Sequence, residues 1–205
     1  MADAPETKRL AGGPELDGAR ARLIAAAARL FQEQGYAATG LSEILTLAKA
    51  PKGSLYHHFP GGKAELAAAA MRGAGGLVRA TLRARCETSD GAAGAVRGFA
   101  EDLAGWLEAS QFRRGCPVAT VALEQTPGEG ELADAIGGAF ARTLDMLAEM
   151  IEADGVPPKR ARSLAVTALS ALEGAMILAR IEQSAAPVRA AGVETEALIR
   201  SALAR

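Results

Sequence analysis

The sequence predicts an all-α protein, with a three-helix N-terminal domain that contains a helix-turn-helix and a larger helical domain after it. Apolar residues recur at spacings of three and four along most of the chain, and no stretch shows the strict alternation of a half-buried strand. Glycine and proline clusters divide this pattern into about nine helical segments. A chain of 205 residues, 49% of them hydrophobic, is long enough to bury a core.

The first predicted helix begins after Asp17, a residue type that caps helices well, and ends at Gln34. Gly35 follows it, and glycine readily adopts the left-handed conformation in which many helices end. Residues 1–16 are rich in glycine, proline and charge, which is typical of a flexible arm. The first helix therefore opens a domain that starts at Asp17.

Two short helices are predicted next, at residues 41–48 and 52–58, on either side of the tight turn Lys49-Ala50-Pro51. This spacing is typical of a helix-turn-helix. Pro51 suits the first helical position, because its ring fixes φ and its missing N–H needs no partner there. Pro60-Gly61-Gly62 then interrupts the chain, so we place the DNA-binding domain at residues 17–62 and a second domain at residues 63–205.

The second domain is predicted to contain helices at residues 63–85, 92–109, 117–125, 129–153, 158–183 and 193–204. Gly73, Gly75 and Gly76 lie inside the first of these. Glycine costs about 1 kcal/mol relative to alanine in a helix, so we expect a bend or a break at that point.

Charge, cysteine content and hydropathy narrow the class of protein. The net charge of −1 gives no general sign of nucleic-acid binding, but residues 44–64 contain Lys49, Lys52 and Lys63 and no acidic residue. Cys86 and Cys116 lie far apart and are interpreted as packing residues. Residues 1–17 lack the apolar stretch of a signal peptide or membrane helix, and later hydrophobic runs are interrupted by charge every few residues, which favours a cytoplasmic protein with no membrane partner. No cofactor or metal is expected.

Residues 50–59 have the chemistry that DNA binding requires. Lys52 stands at a helix start, where free N–H groups and the helix dipole favour a phosphate. Gly53 allows a close backbone approach, and Ser54 is short enough to reach a base or a phosphate. These three residues are therefore predicted to form part of a DNA-contacting surface.

Leu55 and Phe59, four residues apart, are predicted to anchor the same helix to the core, which leaves Tyr56 and His57 facing elsewhere with polar groups for DNA. Outside this context, such residues are more often ordinary core or surface residues. His58 is interpreted as structural, because it lies next to the anchor Phe59. A metal site on His57 and His58 is disfavoured, because adjacent residues do not share a helix face and no third ligand is in sight.

Residues 21–66 resemble the DNA-binding domain of the TetR family. The resemblance rests on several motifs in the family's order: Leu30-Phe31, Gly35-Tyr36-x-x-Thr39, Ile44, Lys52-Gly53-x-Leu55-Tyr56-x-His58-Phe59 and Lys63-x-x-Leu66. Residues 50–63 and the run Gly115-Cys116-Pro117-Val118-Ala119 are similar to the LmrA/YxaF-like subgroup. Members of that subgroup typically repress efflux or detoxification genes and respond to lipophilic aromatic compounds.

The resemblance implies a repressor that binds a palindromic operator in double-stranded DNA as a homodimer and is released by a small lipophilic, aromatic effector. Gly40 and Pro51 depart from the Ser or Thr that is frequent at those positions in the family. Carried over by position, the DNA contacts are Thr39, Ser42, Lys52, Gly53, Ser54, Tyr56, His57 and Lys63.

In that family the last two helices pair with their copies in a second chain as a four-helix bundle. This implies a dimer interface on the apolar stripes of residues 158–183 and 193–204, although an internal core is an alternative interpretation. The interface residues implied are Leu164, Ala168, Leu172, Ala175, Leu198 and Ala202.

A ligand cavity is expected between residues 71 and 147, where the bulky residues gather, with plain core as the alternative interpretation. The candidates are Phe99, Leu103, Trp106, Phe112, Val121, Phe140 and Met146, with Glu124 or Gln125 as polar contacts. A short helix after Gly115-Cys116-Pro117 is expected to move with the ligand and to shift the fourth helix.

Two other functional classes compete with this hypothesis. An all-α enzyme or small-molecule-binding protein with an incidental helix-turn-helix finds no support in the sequence, which offers no nucleophile with a positioned histidine, no metal-ligand cluster and no glycine-rich phosphate loop after a strand. A constitutive architectural DNA-binding protein would need more positive charge than this chain carries.

Overall fold

The computed structural model describes residues 18–125, 128 and 130–203, and in these ranges it contains helices and no strand. The helices are α1 (Gly18–Gln34), α2 (Leu41–Ala48), α3 (Lys52–His58), α4 (Gly62–Thr88), α5 (Gly91–Ala109), α6 (Pro117–Glu124), α7 (Glu131–Ala153), α8 (Pro158–Glu182) and α9 (Ala186–Leu203). The predicted all-α class and the order of the helices are confirmed. Asp17, the arm at residues 1–16 and Glu129, at the predicted start of the seventh helix, lie outside the described residues.

Two helices differ from their predicted bounds by three residues or more at one end. α4 runs from Gly62 to Thr88 through all three glycines, so the expected break is absent; tertiary burial along this helix, for example of Met71 and Leu82, outweighs the low helix propensity of glycine. α9 begins at Ala186, seven residues earlier than predicted. The Ser184 hydroxyl accepts a hydrogen bond from the Ala186 N–H at 3.2 Å, and Pro187 occupies the first turn.

The chain forms two compact units. The first comprises the described parts of residues 1–77 and 117–139, and the second those of residues 78–116 and 140–205. The units divide α4 after Leu77 and α7 after Ala139, and they assign α6 to the helix-turn-helix unit. The division of the chain at residues 62 and 63 stays a prediction about function and does not coincide with these units.

The helices of the first unit each contribute apolar side chains to a small core. Gly35 ends α1 with φ +85°, and its N–H donates to the Phe31 carbonyl at 3.1 Å, as the sequence predicts. The buried large side chains of this core include Leu23, Phe31, Ile44, Leu55, Phe59 and Leu66.

The second unit is built around α5, α8 and α9. Gly192 of α9 lies so close to α5 that a Cβ at this position would stand 2.5 Å from the Cβ of Ala100. Only glycine permits this separation of the two helices, so small residues at their contact set the geometry of the unit.

α8 has two apolar faces, and the structure corrects the sequence prediction about them. Leu164, Ala168, Leu172 and Ala175, predicted to contact a second chain, are buried in the core of their own unit. The opposite side of α8 is apolar and open to solvent: Val166, Ile177, Leu178 and Ile181 are between 44% and 74% exposed.

α9 also leaves apolar side chains exposed. Val193, Leu198 and Leu203 are open to solvent, whereas Ala202 packs partly buried against the core. Of the six predicted interface residues, Leu198 is therefore the one that presents a large apolar side chain outward. α8 is also long and apolar enough to cross a membrane by length and composition alone, because both of its faces are apolar.

Candidate nucleic-acid interface

Hydrogen bonds between side chains and backbone groups hold α2 and the turn after it. The Glu43 carboxylate accepts a hydrogen bond from the Gly40 N–H at 3.0 Å, which caps the start of α2 although Gly40 has no side chain. At the other end Lys49 adopts the left-handed conformation with φ +49°, and Arg22 of α1 donates to the Ala48 carbonyl at 3.0 Å. The turn that leads into α3 is therefore fixed to α1.

α3 is held by two anchors, as predicted. Leu55 and Phe59 are fully buried, and the Phe59 N–H donates to the Leu55 carbonyl at 2.7 Å. Pro51 stands one position earlier than expected, because it has extended ψ of 152° and caps the helix instead of being its first residue. Its carbonyl accepts a hydrogen bond from the Ser54 N–H at 3.0 Å.

The outward side of α3 is polar. Lys52, Gly53, Tyr56 and His57 are exposed, with Tyr56 at 48%, and Ser54 is half-buried. Within the described part of the chain, Lys52 and Tyr56 form no hydrogen bond or ion pair. A charge and a phenol that are free of internal partners can exchange water for phosphate oxygens or base edges.

Neighbouring positions extend or support this surface. Ser42 of α2 and Lys49 in the turn are also exposed. The ring of His57 meets that of His58 edge-on at 4.9 Å, and half-buried His58 in turn meets the buried Phe59 at 6.4 Å. His58 thus lies against an anchor of α3, as its structural interpretation requires.

Thr39 and Lys63, two of the predicted DNA contacts, are engaged inside the first unit instead. Thr39 is buried, and its hydroxyl donates to the Gly35 carbonyl at 2.6 Å. The Lys63 ammonium donates to the Tyr36 carbonyl at 2.6 Å and lies 4.3 Å above the centre of the Tyr36 ring. Both side chains therefore hold the loop after α1.

Glu124 holds the same loop from α6. One oxygen of its carboxylate accepts from the Tyr36 N–H at 3.0 Å and the other from the Ala37 N–H at 2.6 Å. Gly35 makes room for it, because a Cβ there would lie 1.9 Å from the carboxylate oxygen Oε1. We call Glu124, Lys63 and the loop Gly35–Ala37 that they hold the loop clamp.

The loop clamp corrects the prediction that Glu124 is a polar contact for a ligand. Burial lowers the pKa of Lys63, and the negative charge of Glu124 opposes that change. The clamp joins residues 88 positions apart through backbone N–H groups. No sequence pattern marks such a contact, which explains why it was missed.

The predicted ligand residues are divided between the units. In the second unit Phe99, Leu103 and Met146 are buried, and the ring of Trp106, 39% exposed, meets that of Phe99 edge-on at 6.2 Å. Phe112 and Phe140 are half-buried there. Val121, by contrast, is fully buried on α6 in the first unit.

Two family models match the chain: "Bacterial regulatory proteins, tetR family" over residues 23–70, and "Transcriptional regulator LmrA/YxaF-like, C-terminal domain" over residues 92–194. An uncharacterized HTH-type transcriptional regulator of Mycobacterium tuberculosis is 36% identical over 178 residues, covering 84% of this chain and 90% of the relative. The HTH-type transcriptional regulator LmrA of Bacillus subtilis is 30% identical over 169 residues, covering 82% and 90%.

A solved structure leads to the same family. The TetR-family transcriptional regulator SCO4454 of Streptomyces coelicolor superposes with a TM-score of 0.76 at 25% identity, covering 98% of this chain and 97% of that one. These matches confirm the resemblance found in the sequence. The chain belongs to the TetR family of transcriptional regulators, with a C-terminal domain of the LmrA/YxaF-like type.

Proposed function

We propose that this regulator is a homodimeric repressor that binds a palindromic operator in the cytoplasm and leaves it when a small lipophilic effector binds. The observation that carries the proposal is the outward side of α3. On this helix, anchored by Leu55 and Phe59, Lys52 and Tyr56 are exposed and have no polar partner among the residues that the structure describes. The proposed DNA contacts are Ser42, Lys52, Gly53, Ser54, Tyr56 and His57.

The proposed dimer uses the outward apolar sides of α8 and α9, not the buried residues first predicted. Exposed apolar area costs roughly 25 cal/mol per Å² relative to burial, and a row of large side chains such as Ile177, Leu178 and Ile181 marks an interaction surface. A two-fold dimer also matches a palindromic operator, in which each half-site meets one recognition helix. We therefore propose that a second copy covers this surface.

The proposed effector is aromatic and contacts the Phe99 and Trp106 side of the second unit. Trp106 supports this proposal, because a partly exposed tryptophan beside a buried phenylalanine offers an aromatic ligand both stacking and apolar contact. An enzyme with an incidental helix-turn-helix is disfavoured, since the relatives are transcriptional regulators.

We propose that the loop clamp couples effector binding to DNA binding. α6 contributes Glu124 and α4 contributes Lys63, so two helices of the first unit hold the loop that leads from α1 into α2. A displacement of α6 withdraws the carboxylate from the Tyr36 and Ala37 N–H groups and leaves these donors to water. The loop that leads into the helix-turn-helix then loses one of its supports.

Operator binding in the presence of ligand tests the whole proposal. An operator selected from a random duplex library with the wild-type protein is titrated by fluorescence anisotropy, with and without saturating members of a panel of lipophilic aromatic compounds. A true effector should weaken operator binding by about 5-fold to 150-fold, and operator should weaken effector binding by the same factor. If every compound that binds leaves operator affinity unchanged, the effector proposal is wrong.

Glu124→Gln tests the clamp separately. We expect this variant to bind the effector within twofold of the wild type but to lose most of the effector's influence on operator affinity. The matched control is Glu131→Gln, which removes another exposed carboxylate of the same unit, paired with Arg72 at 2.9 Å. Equal behaviour of the two variants would exclude a special role for the clamp.

A further inference from the structure

Three arginines of the second unit form a cluster that has no acidic partner among the described residues. Arg79 and Arg83 stand one turn apart on α4, and Arg142 on α7 is close enough to act on Arg79 electrostatically. Arg83 and Arg142 are exposed, whereas Arg79 is half-buried. Among the described residues, the buried Nη1 atom of Arg79 has no hydrogen-bond partner.

Two other arginines of the same unit differ from this arrangement. Arg85, two residues beyond Arg83, pairs with Asp102 through two hydrogen bonds, and Arg162 pairs with Asp145, which follows Arg142 by three residues. The carboxylates of Asp102 and Asp145 are thus paired with arginines outside the cluster.

Such a cluster is unfavourable unless something else binds to it. A buried donor without an acceptor costs free energy, and like charges nearby add to that cost. The pKa of Arg79 is lowered, first by burial and then by the charges of Arg142 and Arg83. An anion between the three groups would supply the missing acceptor and remove the repulsion.

We propose that Arg79, Arg83 and Arg142 bind the anionic group of a small amphiphilic effector, a carboxylate, sulfonate or phosphate. Guanidinium groups suit such anions because their planar forks form paired hydrogen bonds to two oxygens. The residues beside them are apolar: Val78 and Leu82 on α4 and Leu144 and Met146 on α7 belong to the core of the unit or pack on it. An effector with a charged end and an apolar body fits this combination.

The site rests on the proposed effector response, and it refines the class of effector from lipophilic to lipophilic and anionic. Binding to the free protein can be measured without DNA. The test of the site is therefore separate from the test of operator release.

Two dyes that differ by one charge provide the direct test. 8-Anilino-1-naphthalenesulfonate carries a sulfonate, and N-phenyl-1-naphthylamine is the same molecule without it. Both are titrated by fluorescence into the wild type, Arg79→Gln and the control Arg162→Gln, which removes an arginine from an ordinary surface ion pair. We expect Arg79→Gln to weaken sulfonate binding by roughly 10-fold or more and to leave binding of the neutral dye within twofold.

Arg162→Gln should bind both dyes as the wild type does. If Arg79→Gln binds the sulfonate as tightly as the wild type, or weakens both dyes equally, the cluster is not an anion site. Arg79→Lys, which keeps the charge without the fork, guards against misfolding as an explanation and should lose less sulfonate affinity than Arg79→Gln. A wild type that binds the sulfonate through Arg79 but keeps its operator affinity would support the site and contradict the proposed induction.

Discussion

In the described structure, α3 and α8 each pack against their own chain on one side and expose the other side to solvent. The exposed side chains of the two helices differ in chemistry. α3 exposes a lysine, a tyrosine and a histidine, which water solvates well until phosphate replaces it. α8 exposes valine, isoleucine and leucine, which water solvates poorly at all times. The exposed side of α3 therefore suits a reversible contact with DNA. The exposed side of α8 suits a permanent contact with a second copy of the chain.

The largest predicted effects come from two substitutions on opposite sides of α8. Leu172→Arg places a charge in the core and should prevent stable folding, because an unpaired buried charge costs several kcal/mol. Ile177→Arg places the same charge on the outward side, and we expect a folded monomer that has lost operator binding. Circular dichroism and sedimentation separate the two outcomes.

The control for Ile177→Arg is Leu123→Arg, at an exposed apolar position on α6, which should sediment as the wild type does. A dimeric Ile177→Arg protein, or a wild type that is monomeric at micromolar concentration, would show that the outward side of α8 is not the interface.

On α3 the expected effect is smaller and depends on salt. Lys52→Ala should remove one phosphate contact, which lowers the slope of log affinity against log salt by about 0.9 and weakens binding to all sequences alike. Lys159→Ala, at an exposed position of α8, is the control and should change neither quantity. An unchanged slope for Lys52→Ala removes this residue from the interface.

Lys63 should behave differently from Lys52, although the sequence predicts the same role for both. Lys63→Met removes the hydrogen bond to the Tyr36 carbonyl and should lower the free energy of unfolding by about 1 kcal/mol, as seen in urea titrations. We expect its salt slope for DNA binding to stay that of the wild type. A slope reduced to the value found for Lys52→Ala would instead identify Lys63 as a phosphate contact.

The smallest predicted effect concerns Glu173, between the two sides of α8. Burial raises the pKa of its carboxyl, and a hydrogen bond with Cys116 opposes the shift in part. Ionisation therefore costs the folded state stability as pH rises above the usual Glu value of about 4.3. Glu173→Gln should be more stable than the wild type at pH 7, and the difference should vanish at pH 3.5; a constant difference would contradict this account.

The sequence predicts some parts of the molecule well for physical reasons. Leu55 and Phe59 lie one turn apart on a helix that has a single buried side, so periodicity identifies them as anchors and leaves Tyr56 and His57 outward. Gly35 is recognisable as a helix end because of its backbone freedom. These local rules require no knowledge of the rest of the chain.

Other parts depend on contacts that periodicity does not encode. α8 is apolar on both sides, so its pattern cannot tell which stripe meets its own core, and the prediction selected the buried one. Thr39, Lys63 and Glu124 use side-chain atoms to hold backbone groups of one loop. Residues that look like surface contacts in sequence are in this case internal supports.

The close approach of α9 to α5 at Gly192 has a mechanical consequence. Because no side chain separates the two backbones, α5 and α9 cannot slide or tilt independently here without a collision at Ala100. The two helices are therefore expected to move together. α5 carries Phe99, Leu103 and Trp106, and α9 carries Val193 and Leu198 on its outer side. We therefore expect a ligand that displaces the aromatic residues of α5 to displace the outer surface of α9 as well.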